Sequence, residues 1–126
     1  MLRDKSSAAI VAVSDIARAR AFYEGVLGLT VADDALGEVI TFKTGATDLV
    51  VYRSDEAGSN RANAVVWAVG EDIVEIVADL RGKGVAFEQY EMEGATFEDG
   101  IHRDGDFQMA WFKDPDGNIL HLNSAE

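Results

Sequence analysis

The chain repeats itself, and that repeat limits what it can fold into more than any other feature. Val13 and Val69 stand 56 residues apart, as do Gly28 and Gly84, while Asp15-Ile16 and Asp72-Ile73 are 57 apart. Farther on, Phe42-Lys43 and Phe112-Lys113 are 70 apart, and Leu49-Val50-Val51 precedes Ile119-Leu120-His121 by the same 70. Landmarks recurring in one order point to a duplicated supersecondary unit. Growth of the offset from 56 to 70 implies 14 extra residues in the second copy, in the polar stretch Glu91 to Gly105.

Each copy has the same local grammar. In the first, Ala8 to Val13 is a β-branched apolar run suited to a buried strand, and Ser14 or Asp15 caps a helix with Ile16, Ala19, Tyr23 and Val26 on one stripe. Gly28 closes that helix, and strands are expected at Leu29 to Val31, Val39 to Lys43 and Asp48 to Arg53. The order is βαβββ. Ser54 to Asn63 is polar and unpatterned, as a linker would be. The second copy then starts with the run Ala64 to Val69, an Asp72-capped helix carrying Ile73, Ile76, Val77 and Leu80, and a closing Gly84. A strand from Val85 that extends to Tyr90 is expected next, then strands at Gln108 to Lys113 and Ile119 to Asn123 around the turn Asp114-Pro115-Asp116-Gly117-Asn118. The expected fold is therefore α+β: one domain over residues 1–126, made of module 7–53, linker 54–63 and module 64–124.

With 126 residues the chain can bury a core without staples, and with no cysteine it has neither disulfides nor thiolate ligands. A formal charge of −12, from 23 acidic against 11 basic side chains, argues against a nucleic-acid partner. Such acidity either steers a cationic ligand or simply keeps the protein in solution. No apolar run approaches the roughly 18 residues needed to span a bilayer, and Met1 to Lys5 does not open a signal peptide. A cytoplasmic protein without a membrane partner is the expectation.

The motifs Val13-Ser14-Asp15-Ile16, Phe22-Tyr23, Val26-Leu27-Gly28-Leu29 and Asp114-Pro115-Asp116-Gly117-Asn118 resemble those of the vicinal oxygen chelate superfamily, also called the glyoxalase, bleomycin-resistance and extradiol-dioxygenase family. The resemblance covers nearly the whole chain. It implies two tandem βαβββ modules curling into an open, partly closed β-barrel-like cleft, a scaffold that hosts enzymes and non-catalytic drug binders alike. Metal-dependent members take ligands from the first and fourth strands of each module. The corresponding positions here are Ala8, Ala64, Val51 and His121, and three of those side chains cannot donate an electron pair to a cation. Neither a metal nor another cofactor is expected.

By strand alternation, Ala8, Ile10 and Ala12, Ala64, Val66 and Ala68, Val51 with Arg53, and His121 with Asn123 are expected to face the cleft. The candidate ligand-binding residues are Val51, Arg53, His102, Trp111, His121 and Asn123. His121 could contact a ligand, act as a base or be structural; Arg53 could hold an anion or end a strand in solvent; Trp111 could stack on a ligand or pack the core. His102 is expected in a loop, and the insertion with Tyr90, Met92, Phe97 and Ile101 is either a lid or an inert surface loop. No catalytic residue is assigned. The function expected is metal-independent binding of a small molecule, resembling bleomycin-resistance proteins that sequester a drug or metabolite as homodimers. The alternative is a glyoxalase- or dioxygenase-like isomerase or lyase with a non-standard or metal-free site.

Overall fold

A computed structural model describes all 126 residues, and the chain divides into two compact units, Met1–Asn60 and Arg61–Glu126. The first contains β1 (Ala9–Val13), a helix α1 (Ile16–Arg20) that widens into a π-helical turn (Ala21–Val26), β2 (Thr30–Asp33), β3 (Val39–Thr44) and β4 (Thr47–Arg53). The second contains β5 (Asn63–Ala68), a 3₁₀ turn (Gly70–Asp72), α2 (Ile73–Gly82), β6 (Thr96–Glu98), β7 (Ile101–Asp104), β8 (Phe107–Lys113) and β9 (Ile119–Asn123). Four strands form one sheet in the order β1-β4-β3-β2, and five form the other in the order β5-β9-β8-β7-β6. In both, the first strand lies parallel to the last and every other pairing is antiparallel. The α+β class expected from the sequence is what the chain adopts. No helix is long and apolar enough to cross a membrane.

Alternation sorts each sheet into a helix-covered face and an open one. In the first unit Val11, Val13, Ile40, Phe42, Leu49 and Val51 are buried, and α1 adds Ala19 and Tyr23, whose ring lies 5.9 Å from that of Phe42. Asp15 starts this helix, its Oδ1 accepting the Arg18 N–H at 3.0 Å. In the second unit α2 buries Ile73, Val77 and Leu80, and the sheet buries Ile101, Ala110, Phe112, Leu120 and Leu122. Asp72 precedes α2 without making a side-chain cap, because the 3₁₀ turn takes up the chain there.

Three further expectations are corrected. Val85 to Tyr90 is not a strand; Phe87 makes one bridge to Phe112, and Glu88 N–H donates to Trp111 O at 2.8 Å. The strand that flanks β8 is instead β7, inside the stretch expected to be an insertion, so His102 belongs to a sheet and not to a loop. The reason is turn chemistry. Asp99 and Gly100 both have positive φ, 54° and 84°, and join β6 to β7 as the two-residue Asp-Gly hairpin loop that matches strand twist. Gly100 also packs so closely on Val77 and Phe87 that an added Cβ would meet each at 3.2 Å. A second two-residue loop, Gly105-Asp106, joins β7 to β8.

The third correction concerns register. Lys43 pairs with Asp48 across the β3–β4 turn, whereas Lys113 pairs with Ile119 across the β8–β9 turn, which is one residue longer. The structural counterpart of His121 is therefore Val50. Val51 corresponds to Leu122, and both point to the helix-covered face.

That longer turn is held by one carboxylate. Asp114 Oδ1 accepts the N–H groups of Asp116 at 3.0 Å and Asn118 at 2.9 Å, and Oδ2 accepts the Asn118 side-chain amide at 2.8 Å. Asp114 N–H in turn donates to Asn118 O at 3.0 Å, and Gly117 supplies the positive φ of 87° that closes the loop. Asp114 and Asn118 are both buried, so the two Asn118 donors left without this acceptor would not be satisfied by water. Replacing Asp114 by Ala should cost about 2–3 kcal/mol of stability. Asp114→Asn, which keeps one acceptor but sets an amide against the Asn118 amide, should cost less. Urea unfolding of the two variants measures both; a loss below about 0.5 kcal/mol for Asp114→Ala, the range of an ordinary surface change, would remove the turn's claimed role.

Candidate functional site

The open face of the second sheet carries a cluster of aromatic and polar groups. Cross-strand pairs put side chains on one face, and Trp111 pairs with His121, Met109 with Asn123, and His102 with Met109. The Trp111 and His121 rings are stacked, 4.6 Å apart and 22° from parallel. His102 meets the Trp111 ring edge-on at 5.1 Å, and Phe97 packs on His102 at 4.7 Å. Tyr90 reaches both, 5.3 Å from Trp111 and 6.3 Å from His102. Trp111, His121 and Asn123 are partly exposed, whereas His102 is buried.

Hydrogen bonds fix the state of His121. Asn123 Oδ1 accepts the Ala125 N–H at 3.1 Å, which orients its amide nitrogen toward His121 Nε2 at 3.2 Å. Nε2 must then accept, so the proton of the neutral ring resides on Nδ1 and is donated to Ala110 O at 3.1 Å. Burial pushes His121 below its ordinary value of 6.5, and the bond to Ala110 O opposes part of that shift. The ring is therefore a neutral, oriented surface with Asn123 on its only free electron pair.

Those donors do not fit a resident metal. The partners of His121 on this face are Trp111, Asn123 and Val66, none of them a carboxylate or a second imidazole. No three His, Cys, Asp or Glu side chains converge anywhere in the chain in a way that could hold an ion. The structure thus brings together four of the six candidates: His102, Trp111, His121 and Asn123. Val51 is fully buried on the helix-covered face of β4, where alternation places it once the register is corrected. Arg53 ends β4 in an ion pair with Asp55 at 2.9 Å. Phe97 and Tyr90 complete the cluster, and the Asp99-Gly100 dipeptide was the signal that Phe97 faces His102 across a hairpin.

An open recess of about 520 Å³ lies past the end of β5, among Ala68, Gly70, Glu71, Asp72, Ile76 and Glu126. It holds carboxylates but no aromatic ring or imidazole, so the sheet face remains the better candidate.

Comparison with known proteins agrees with this architecture. The family model for the glyoxalase/bleomycin resistance protein/dioxygenase superfamily matches residues 6–122. No curated protein sequence matches the chain. Among solved structures, a glyoxalase family protein from Enterococcus faecalis is 23% identical with a TM-score of 0.69, over 98% of this chain and 99% of its own. The lactoylglutathione lyase of Agrobacterium tumefaciens is 17% identical with a TM-score of 0.66, over 94% and 92% of the two chains. The fosfomycin resistance protein FosX of Mesorhizobium loti is 14% identical with a TM-score of 0.68, over 98% and 93%. At these identities the likeness is one of fold.

The lowered value at His121 has a signed consequence. The unfolded chain takes up this proton more readily than the folded one, so the related stability is complete above about pH 6.5 and is lost as pH falls toward the folded value. A ¹H–¹⁵N titration should place the His121 midpoint below 6.5 and show its proton on Nδ1 at neutral pH. A midpoint above 6.5, or a proton on Nε2, would contradict the network.

Proposed function

Because the chain belongs to the glyoxalase/bleomycin resistance protein/dioxygenase superfamily, we propose that it binds a small organic molecule on the open face of its second sheet, without a resident metal ion. The observation that carries this reading is the half-exposed Trp111–His121 stack, with Asn123 fixed beside it. Aromatic surface with a few oriented polar groups is the ordinary make-up of a small-molecule site. Trp111 and the His121 ring supply contact area at low entropic cost, and the second N–H of the Asn123 amide, the first being turned to His121, supplies direction. His102 belongs to the site through its contact with Trp111.

Two structural relatives bear the names of a lyase and of an antibiotic-resistance protein, and small molecules are the common element. Sequestration of a drug or metabolite, by a homodimer in the cytoplasm, is the form of the activity we propose. A metal-free isomerase or lyase that used His121 as its base would need Nε2, and the Asn123 amide already occupies that electron pair. A substrate would first have to displace it. Binding requires no such step.

The test is a thermal-shift screen of small organic compounds against the purified protein, with metal analysis alongside. A true ligand at 100 times its dissociation constant should stabilise by about 2.7 kcal/mol. Trp111→Phe should weaken that ligand about tenfold, a loss of about 1.4 kcal/mol, read as the ligand-induced shift from the variant's own unliganded midpoint. Near-stoichiometric zinc, nickel, manganese or iron in the protein as purified would overturn the metal-free reading, and conversion of the compound on incubation would replace binder with enzyme.

A further inference from the structure

The chain holds two histidines, and His102 enters the proposed site only through its ring contact with Trp111. His102 is 1% exposed on β7. Its Nε2 accepts the Tyr90 backbone N–H at 2.9 Å. In the neutral ring the proton must therefore be on Nδ1, which is buried with no hydrogen-bond partner. Tyr90 belongs to a strap, residues 88–95, that is neither helix nor strand. Two bonds tie the start of this strap to the sheet: Glu88 N–H to Trp111 O at 2.8 Å, and Tyr90 N–H to His102. The first ends on a carbonyl that does not titrate. The second ends on an imidazole that can.

We propose that His102 is a positioning residue that latches the strap across Trp111 while neutral and releases it when protonated. A solvent proton taken up at Nε2 turns the acceptor into a donor facing another donor, the Tyr90 N–H, and that bond cannot survive. The charged ring would also carry two N–H groups where one already lacks a partner, a burial that water relieves only if the strap moves. Tyr90, 5.3 Å from Trp111, would leave with it and bare the indole.

The groups packed on His102 offer a cation little in place of water. They are Phe97 from β6, Trp111 and Met109 from β8, and Tyr90, whose phenol is the titratable group among them; His121 lies on the far side of Trp111. On the strap itself Glu88 is paired with Lys113 at 3.2 Å, and Glu91 and Glu93 carry the remaining charge. The meaning of release for ligand access rests on the function proposed above. The latch itself does not.

The experiment therefore uses no ligand. In the full chain carrying His121→Gln and Trp67→Phe, His102 is the one imidazole and Trp111 the one indole. Ring ¹⁵N shifts should show the proton of the neutral ring on Nδ1, and acidification should move the His102 ring and the Tyr90 amide resonance together. Acrylamide quenching of Trp111 should rise about twofold or more over the same titration, as expected of a local opening. Adding His102→Gln, which keeps an acceptor near Tyr90 but cannot titrate, should hold both signals flat. A proton on Nε2 at high pH, a Tyr90 amide that ignores the His102 titration, or the same pH response with Gln in place would each overturn the latch. Should the His102→Gln chain not fold, the ring tautomer and the Tyr90 amide in the parent variant decide the matter alone.

Discussion

The Asp114 carboxylate is the contact on which the arrangement of the second sheet depends. By accepting from Asp116, Asn118 and the Asn118 amide, it sets the length and shape of the β8–β9 turn. Turn length sets register, and in a sheet a slip of one residue sends every side chain of a strand to the other face. With Lys113 paired to Ile119, Trp111 meets His121 and Met109 meets Asn123 on the open face, while Phe112 meets Leu120 and Ala110 meets Leu122 under the helix. One residue more or less would bury the imidazole among leucines and expose the core. The stack is thus a consequence of a hydrogen-bonded turn several residues away.

That dependence also explains how much was legible beforehand. The duplication and the helix stripes could be read from spacing, because apolar period and turn residues dictate them directly, and the family resemblance rested on short motifs such as Asp114 to Asn118. Register could not be read by matching Leu49-Val50-Val51 to Ile119-Leu120-His121, since both triplets are apolar enough to suit either face. The deciding quantity was the extra residue in the Asp114 turn, which hydrogen bonding makes visible and composition does not. The stretch after α2 failed for another reason: its acids and glycines look like a loop, yet Asp99-Gly100 and Gly105-Asp106 are hairpin turns between short strands. A strand of three or four residues is too brief for periodicity to reveal it.

Electrostatics separate the site from the rest of the molecule. The chain carries −12, but burial lowers the pKa of His121 on this face, and Lys113 on the same strand as Trp111 is paired with Glu88. Under the function proposed above, recognition at the face would rest on aromatic area and fixed hydrogen bonds, with net acidity acting only as a long-range bias against anions.

Corrected register allows the two copies to be compared position by position, and the two faces of the sheets differ in kind. Beneath the helices Phe42 corresponds to Phe112, Leu49 to Leu120 and Val51 to Leu122, so apolar bulk stands in the same place in both. On the open faces Thr41 corresponds to Trp111, Val50 to His121, Tyr52 to Asn123 and Val39 to Met109. Packing against a helix demands volume and tolerates little else, which keeps the buried positions alike. An open face is under no such demand, and chemistry can differ there without loss of fold. The first sheet places Thr41 beside Val50, a pair that stacks on nothing, while the second places Trp111 beside His121 and anchors the imidazole at both nitrogens. An accidental aromatic on a free face would need neither the Ala110 carbonyl nor an Asn123 amide oriented by Ala125. Three concerted bonds around one half-buried ring are what a surface requires to present that ring in a single pose.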